Sequence, residues 1–400
     1  MDAERQFVSF LLHWHGLSRP RRSGLEGLRR TIRQLQGADL PVSDLESPIL
    51  RMRVTDYSPL HLDELIRTGE VVWQGNQALG QHDGQISLFM KQDFPLLGCI
   101  SMFAVGTREQ HLRDTLVKEG LEFEQIVERL GGFPEEMLRT LWKLAWNGEV
   151  GSDSLDALRA RLSATVSRYP RRARSSRVRY GGRKRILPGA VGRWTLLSGP
   201  ASGFAPEPER AVARARQWLD RLGIASRRTL AGEDEGFEHL LPGLEHLESR
   251  GMAHRGRFFA SDEPEQFAAP GAADVWRVAA EQKPAGVLSA CDPANPFGAV
   301  LPWPRMKRGY RPQRAPGSRV LIHDGRLVGY LSRTGRRINT PENMTVAAPL
   351  IDLLKRAARV SPVYLESVDG DAPYETPWHD ELVEAGFSPS RRGYLLRSSA

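Results

Sequence analysis

The chain has 400 residues, more than one hydrophobic core usually organises, so length alone predicts two to four domains. A charged fraction of 26% beside 40% apolar residues excludes a wholly disordered chain, and no apolar run approaches the roughly 18 to 20 residues that span a bilayer, which excludes an inserted helical protein. The formal charge of +8 and pI of about 9.7 tilt the chain towards acidic partners.

In chain order, apolar residues at helical spacing predict helices over Phe7–Leu12 and Leu25–Leu35, the second with Leu25, Leu28, Ile32 and Leu35 on one face. The N-terminus carries charges of both signs and too short an apolar run for a signal peptide. After Pro59 a third helix fits Leu60–Thr68 and stops at Gly69. Val71-Val72-Trp73 and Gln85–Met90 read as strands, joined by a turn-rich stretch from Gly75 to Gly84 with Asp83-Gly84 as its chain reversal. Three helices followed by a hairpin is a winged-helix plan.

The plan recurs. Helices near Glu109–Val117, Phe123–Leu130 and Pro134–Trp146 precede Gly148-Glu149-Val150, a long insertion and Gly192–Leu197. A third copy runs through Glu207–Leu222, Ser226–Ala231 and Gly236–Ser249 to strands at Met252–Ala260 and Glu265–Ala268. From about Pro284 short alternating runs and turn residues dominate, Asp324-Gly325 being a strong hairpin signal, with helices at Val346–Val360 and His379–Ala385. The fold class expected is therefore α+β: winged-helix modules over 1–105, 106–200 and 201–280, then a small β-barrel domain over 281–400.

Charge is uneven along this plan. Between Ala157 and Pro206 there is no acidic residue, whereas Arg159, Arg161, Arg168, Arg171, Arg172, Arg174, Arg177, Arg179, Arg183, Lys184, Arg185 and Arg193 all fall there. Tyr169 and Tyr180 interleave with them, a pattern that pairs phosphate neutralisation with base stacking; the competing reading is a solvated loop. Six neutralised phosphates would give log K a slope of about −5 against log salt. At the first wing tip, Gln81 and His82 are polar groups able to touch DNA, or simply turn residues. Asp292 follows an apolar strand and precedes Pro293, which restricts its backbone. A carboxylate so placed could orient water for glycosidic bond cleavage, or merely cap a turn.

Several chemistries have no motif here. There is no Gly-x-x-x-x-Gly-Lys-Ser/Thr phosphate cradle, no Gly-x-Ser-x-Gly elbow and no His-Glu-x-x-His. No metal site or cofactor is expected: His239 and His246 lie seven apart, and Cys99 and Cys291 form no Cys-x-x-Cys pair, which fits a reducing compartment, the bacterial cytoplasm being the expectation.

Phe7–His13, Leu25–Gly37, Ile49–Tyr57, Leu62–Trp73, Leu141–Val150, Gly192-Arg193-Trp194, Asp292–Gly298 and Leu301-Pro302-Trp303-Pro304 together resemble the C-terminal region of Lhr-type DNA-repair helicases, in order along essentially the whole chain. Leu288-Ser289, Asp292-Pro293 and Gly325–Gly329 resemble AlkZ-type DNA glycosylases. The resemblance implies tandem winged helices with an AlkZ-like barrel, uracil excision from single-stranded DNA, self-assembly into oligomers, and a helicase ATPase core as partner in cis or trans. Two departures stand out. The ATPase core is missing, so unwinding is not implied. The Gln-x-Gln pair of AlkZ-type enzymes has only Gln34-Leu35-Gln36 as counterpart, in surroundings that do not match. The readings left are a glycosylase-like module using Asp292 and a non-catalytic DNA-binding and assembly module; a palindrome-reading transcription regulator is disfavoured by three unequal modules.

Overall fold

The computed structural model describes residues 2–18, 21–99, 106–163, 187–197, 204–231, 236–259, 265–344, 348–358 and 362–397. The chain forms two compact units, one of Leu28–Glu46 and Tyr57–Pro206, the other of Met1–Gly27, Ser47–Asp56 and Glu207–Ala400.

In the first unit, β1 (Leu40–Pro41), β2 (Val71–Leu79) and β3 (Asp83–Met90) form an antiparallel sheet in the order β1-β3-β2. Both hairpin strands run further than the sequence suggests, and the turn shrinks to Gly80-Gln81-His82, with Gly80 at φ +83. Asp83-Gly84 is thus the start of a strand and not the chain reversal. Two local facts explain the difference. The pairing slips between Gly75 and Gln77, a bulge that lets the strand continue, and the Asp83 carboxylate is pinned by the Ser43 hydroxyl at 2.7 Å and the Ser43 amide at 3.3 Å. The hairpin lies flat on the helix Pro134–Trp146: a β-carbon at Gly75 would sit 2.1 Å from the Ala145 carbonyl oxygen, and one at Gly84 would sit 2.4 Å from the Trp146 ring.

That helix is apolar on almost every side, burying Met137, Leu138, Leu141, Trp142, Leu144, Ala145 and Trp146. Trp142 meets Trp146 at 5.1 Å, Trp194 at 5.3 Å and Trp73 at 6.5 Å between ring centres, an aromatic cluster at the centre of this unit. Around it stand helices Thr107–Leu116 and Phe123–Leu130, the second opened by a capping box between Glu122 and Gln125. A sheet of β4 (Leu121–Glu122), β5 (Val150–Ser152) and β6 (Arg193–Leu196), in the order β4-β6-β5, completes the module. A helix at Asp156–Ser163, whose Arg159 and Arg161 read in the sequence as the start of the basic tract, precedes that tract.

In the second unit, helices Glu207–Leu222 and Gly236–Ser249 pack closely at Gly243, where a β-carbon would lie 2.8 Å from the Ala211 carbonyl oxygen. The strands β7 (Ile224–Ala225), β8 (His254–Arg255) and β9 (Phe267–Ala268) pair in the order β7-β9-β8. Ser226–Ala231 makes only turns where a helix was expected, and an unforeseen helix follows at Ala272–Glu281. The N-terminal helix Ala3–Trp14 packs there: Phe7, Phe10 and Leu11 join Leu219, Phe237, Leu244 and Phe267 in one core.

Five further strands, β10 (Ala285–Ser289), β11 (Arg319–His323), β12 (Arg326–Leu331), β13 (Arg337–Asn339) and β15 (Ser367–Val368), form a sheet in that order, antiparallel except for β13 against β15. Asp324 (φ +52) and Gly325 (φ +68) turn the β11–β12 hairpin. One face buries Leu321, Leu331 and Ile338 under the helix Ala348–Ala358, and the other buries Val320, Ile322 and Tyr330 with Val8 and Leu12. The strands β14 (Val363–Leu365), β16 (Ser388–Ser390) and β17 (Gly393–Leu396) form a separate sheet, β14-β17-β16. No pairing among the described residues closes these strands into the barrel expected from sequence; helix and sheet are mixed instead.

Candidate nucleic-acid interface

Arg168, Arg171, Arg172, Arg174, Arg177, Arg179, Tyr180, Arg183, Lys184 and Arg185 lie outside the described residues. The described chain stops before them at Ser163 and resumes after them at Leu187. On the approach, Arg159 reaches three carboxylates: Glu46 at 2.8 Å, Asp63 at 2.8 Å and Asp156 at 2.9 Å. The Tyr57 hydroxyl donates to the same Glu46 at 2.8 Å. Burial works against the Glu46 charge, but the hydrogen bonds from Arg159 and Tyr57 outweigh it and hold the carboxyl below its ordinary range.

Two residues on, Arg161 lies over the Trp142 ring at 4.5 Å and donates to the Gln81 carbonyl oxygen at 2.6 Å. The returning chain is fixed at the same place, where the Trp142 indole N–H donates to the Gly189 carbonyl at 3.0 Å. The described chain before and after the tract thus comes together at Arg161 and Trp142, and Arg161 alone reaches the tip of the first wing. Gln81 is exposed there and His82 is half-buried, its Nε2 without a partner among the described residues. Third helices of winged-helix modules commonly enter the major groove; in Pro134–Trp146 the hairpin covers the face at Ala145 and Trp146, and Arg139 and Lys143 are exposed on another.

Asp292 stands in the other unit, in the turn after β10. It is 1% exposed, and Arg53, 0% exposed, grips it with two parallel bonds, Nη1 to Oδ2 at 2.8 Å and Nη2 to Oδ1 at 2.7 Å. The Ala294 amide adds 2.7 Å to Oδ1, and Arg314 donates to the Asp292 carbonyl at 3.2 Å. Burial disfavours the charge, yet Arg53 overrides it and draws the carboxyl below its ordinary value. Arg53 also reaches Nδ1 of buried His15 at 3.1 Å. A guanidinium only donates, so Nδ1 accepts and the ring proton sits on Nε2. Burial, then the adjacent Arg53 charge, pushes the His15 pKa well below its usual value and keeps the ring neutral. The separate Gln34-Leu35-Gln36 is a structural element: Gln36 accepts from the Met90 amide at 2.7 Å and donates to Asp93 at 3.0 Å.

Sequence reasoning missed a run of basic residues in the C-terminal domain, three of which, Lys307, Arg308 and Arg337, line one cleft. Between Arg305 and Arg337 there are ten basic residues and one acidic one, Asp324. The spacing of that tract over several strands and turns hides it from a search for contiguous charge, but its imbalance was countable. Arg305, Arg308, Arg311, Arg333, Arg336 and Arg337 are all exposed. No group of His, Cys, Asp and Glu among the described residues could hold a metal ion, and no described helix is long and apolar enough to cross a membrane.

Repeated helix–hairpin modules ahead of a mixed helix–sheet domain define a tandem winged-helix protein. Comparison with known proteins gives its kinship. Residues 3–91 and 205–287 each match a winged-helix domain of the large helicase-related protein, Lhr. An Lhr helicase/probable uracil glycosylase of Mycolicibacterium smegmatis is 32% identical over 98% of this chain and 28% of its own length. An Lhr helicase/uracil glycosylase of Escherichia coli is 33% identical over 92% of this chain and 26% of its own length. The chain thus carries Lhr winged-helix domains and is homologous to the C-terminal part of Lhr helicase/glycosylases, spanning about a quarter of those relatives. In fold it is similar to the DNA glycosylase AlkZ of Streptomyces sahachiroi, with a TM-score of 0.55, 15% identity, and coverage of 91% of this chain and 98% of that one.

Proposed function

We propose that this chain is a DNA-binding repair module that holds a single strand on its arginine tract and removes a damaged base, uracil by preference. The observation that carries the DNA-binding part is the acid-free run of arginines, whose described flanks come together at Arg161, Trp142 and Gly189, with Arg161 bonded to the exposed wing-tip residue Gln81. Clustered arginines neutralise phosphates and release counterions whatever the sequence. Kinship with proteins described as uracil glycosylases supports the chemistry. In that reaction water adds to the sugar C1′, the C1′–N bond breaks and the base leaves with a proton. For Asp292 to take the water's proton, its bidentate pair with Arg53 must open. The same closed pair favours a second reading, a non-catalytic module that binds DNA and serves a helicase core or an oligomer. No cofactor enters either reading.

One assay separates the two. Purified protein is given uracil-containing single-stranded DNA without ATP, and alkali-labile sites are counted for wild type, Asp292→Asn and the quadruple change of Arg171, Arg172, Arg174 and Arg177 to Ala, with thermal melts alongside. The glycosylase reading expects sites in wild type and none in a folded Asp292→Asn protein. Wild type without sites leaves the binding module. Either reading expects the quadruple variant to bind more weakly, with a salt slope shallower by about three; unchanged affinity and slope would remove the tract from the interface.

A further inference from the structure

A cleft of about 610 Å³ opens on the C-terminal domain, lined by Lys307, Arg308, Tyr310, Arg337, Asn339 and Asp369 among others. Its floor is the parallel pair β13–β15, in register at Arg337 with Ser367 and Ile338 with Val368. Two of its lining residues, Arg308 (φ +54) and Asp369 (φ +53), hold a left-handed backbone although neither is glycine, a state kept only where the surroundings enforce it. They are enforced here. Asp369 accepts from the Thr340 amide and the Thr340 hydroxyl, each at 2.7 Å, and its own amide donates to the Ile338 carbonyl at 2.9 Å.

The charges in the cleft are unequally used. Glu366 is paired with Arg336 at 2.8 Å and Asp371 with Arg308 at 2.5 Å. Lys307 stands 3.8 Å from Asp369 and 5.2 Å over the Trp378 ring. Arg337 is exposed and has no ion-pair partner among the described residues. At the rim, Tyr310 is 37% exposed and backed by Tyr330 at 5.7 Å, which in turn meets Trp303 edge-on at 5.8 Å. An available guanidinium, a braced tyrosine and the amide of Asn339 are the groups that take a phosphate, a base face and a base edge respectively.

We propose that this cleft receives one nucleotide of a bound DNA strand, with the base on Tyr310 and the phosphate on Arg337 and Lys307. The inference rests on the DNA-binding reading above and assigns a second point of contact, separate from the arginine tract. The test is fluorescence anisotropy of the full chain with a short labelled single-stranded DNA, the same length built of abasic residues, and the matching RNA. Tyr310→Ala weakens binding to normal DNA by about five- to hundredfold, the range of a lost base–aromatic stack, leaves binding to the abasic strand unchanged, and is rescued by Tyr310→Phe. Arg337→Ala lowers the salt slope by about 0.7, one phosphate contact on a single strand, and carries the test should Tyr310→Ala fail to fold. Wild-type affinity in both variants, with weakened binding in the quadruple arginine variant, overturns the cleft and leaves the DNA reading intact. Absence of any DNA binding by wild type overturns both. Equal loss on the abasic strand overturns the stack, and a loss confined to RNA overturns the choice of DNA.

Discussion

Arg53 and Arg161 are both arginines held by precise contacts, yet they stand under opposite physics. Arg53 is sealed inside its unit with both carboxylate oxygens of Asp292 and the ring of His15. Its charge serves the fold and is out of reach of solvent. Arg161 lies over an indole beside a wing tip, at the last described turn before an arginine-rich tract. The difference teaches that positive charge in this chain has two uses. A fully buried cation demands a buried anion, whereas the half-buried Arg161 rests on an indole ring and one backbone carbonyl, with burial lowering its pKa.

The comparison breaks most visibly if Asp292 is removed. Asp292→Ala leaves Arg53 buried without its partner, and unfolding free energy should fall by about 3–5 kcal/mol, read by urea denaturation. Replacing both partners together, Arg53→Met with Asp292→Leu, should recover most of that loss. If Asp292→Ala were as stable as wild type, the pair would not be a fixed part of the fold. A smaller effect is expected at the platform beneath Arg161. Gly75→Ala puts a methyl group against the Ala145 carbonyl and should cost about 1–3 kcal/mol, with the tryptophan fluorescence of the Trp73–Trp142–Trp194 cluster as readout. No change in either would mean that the hairpin does not rest on this helix.

The smallest expected effect is in the pH dependence, and it sharpens the contrast. His15 in the fold titrates well below its ordinary 6.5, so the unfolded chain takes up that proton first as pH falls. The stability tied to neutral His15 is complete above pH 6.5 and declines below it, so the unfolding midpoint should drop between pH 7 and 5. In His15→Asn, whose Oδ1 can accept from Arg53, that part of the slope should vanish; an unchanged slope would assign it to other groups. Asp292 acts in a lower window. Its carboxyl is held below 3.8, so its contribution is full above that value and is lost only as pH falls through the folded-state value.

Much of the architecture was legible because local rules dominate it. The helices Pro134–Trp146 and Glu207–Leu222 follow from apolar periodicity and a proline or acidic start, and the β11–β12 hairpin follows from Asp324-Gly325. The missed elements are those where local and global preferences part. Ala272–Glu281 has two alanine pairs that favour a helix, but ten residues are too few to hold one alone, and it is fixed where Trp276 meets Phe10 at 5.6 Å. The extended wing strands needed Gly75 to be read as a contact with Ala145, which no neighbouring residue announces.

By itself the sequence determined the repeated helix–hairpin plan, the acid-free arginine tract and the kinship with Lhr C-terminal regions, since periodicity, charge and motif order are properties of adjacent residues. Only the tertiary structure decided what Asp292 touches, that Arg161 and Gly189 on either side of the tract meet at Trp142, and that Lys307, Arg337 and Tyr310 share a cleft. Arg53 and Asp292 are 239 positions apart, and a contact over such a distance is set by how strands and helices pack, which no local pattern encodes.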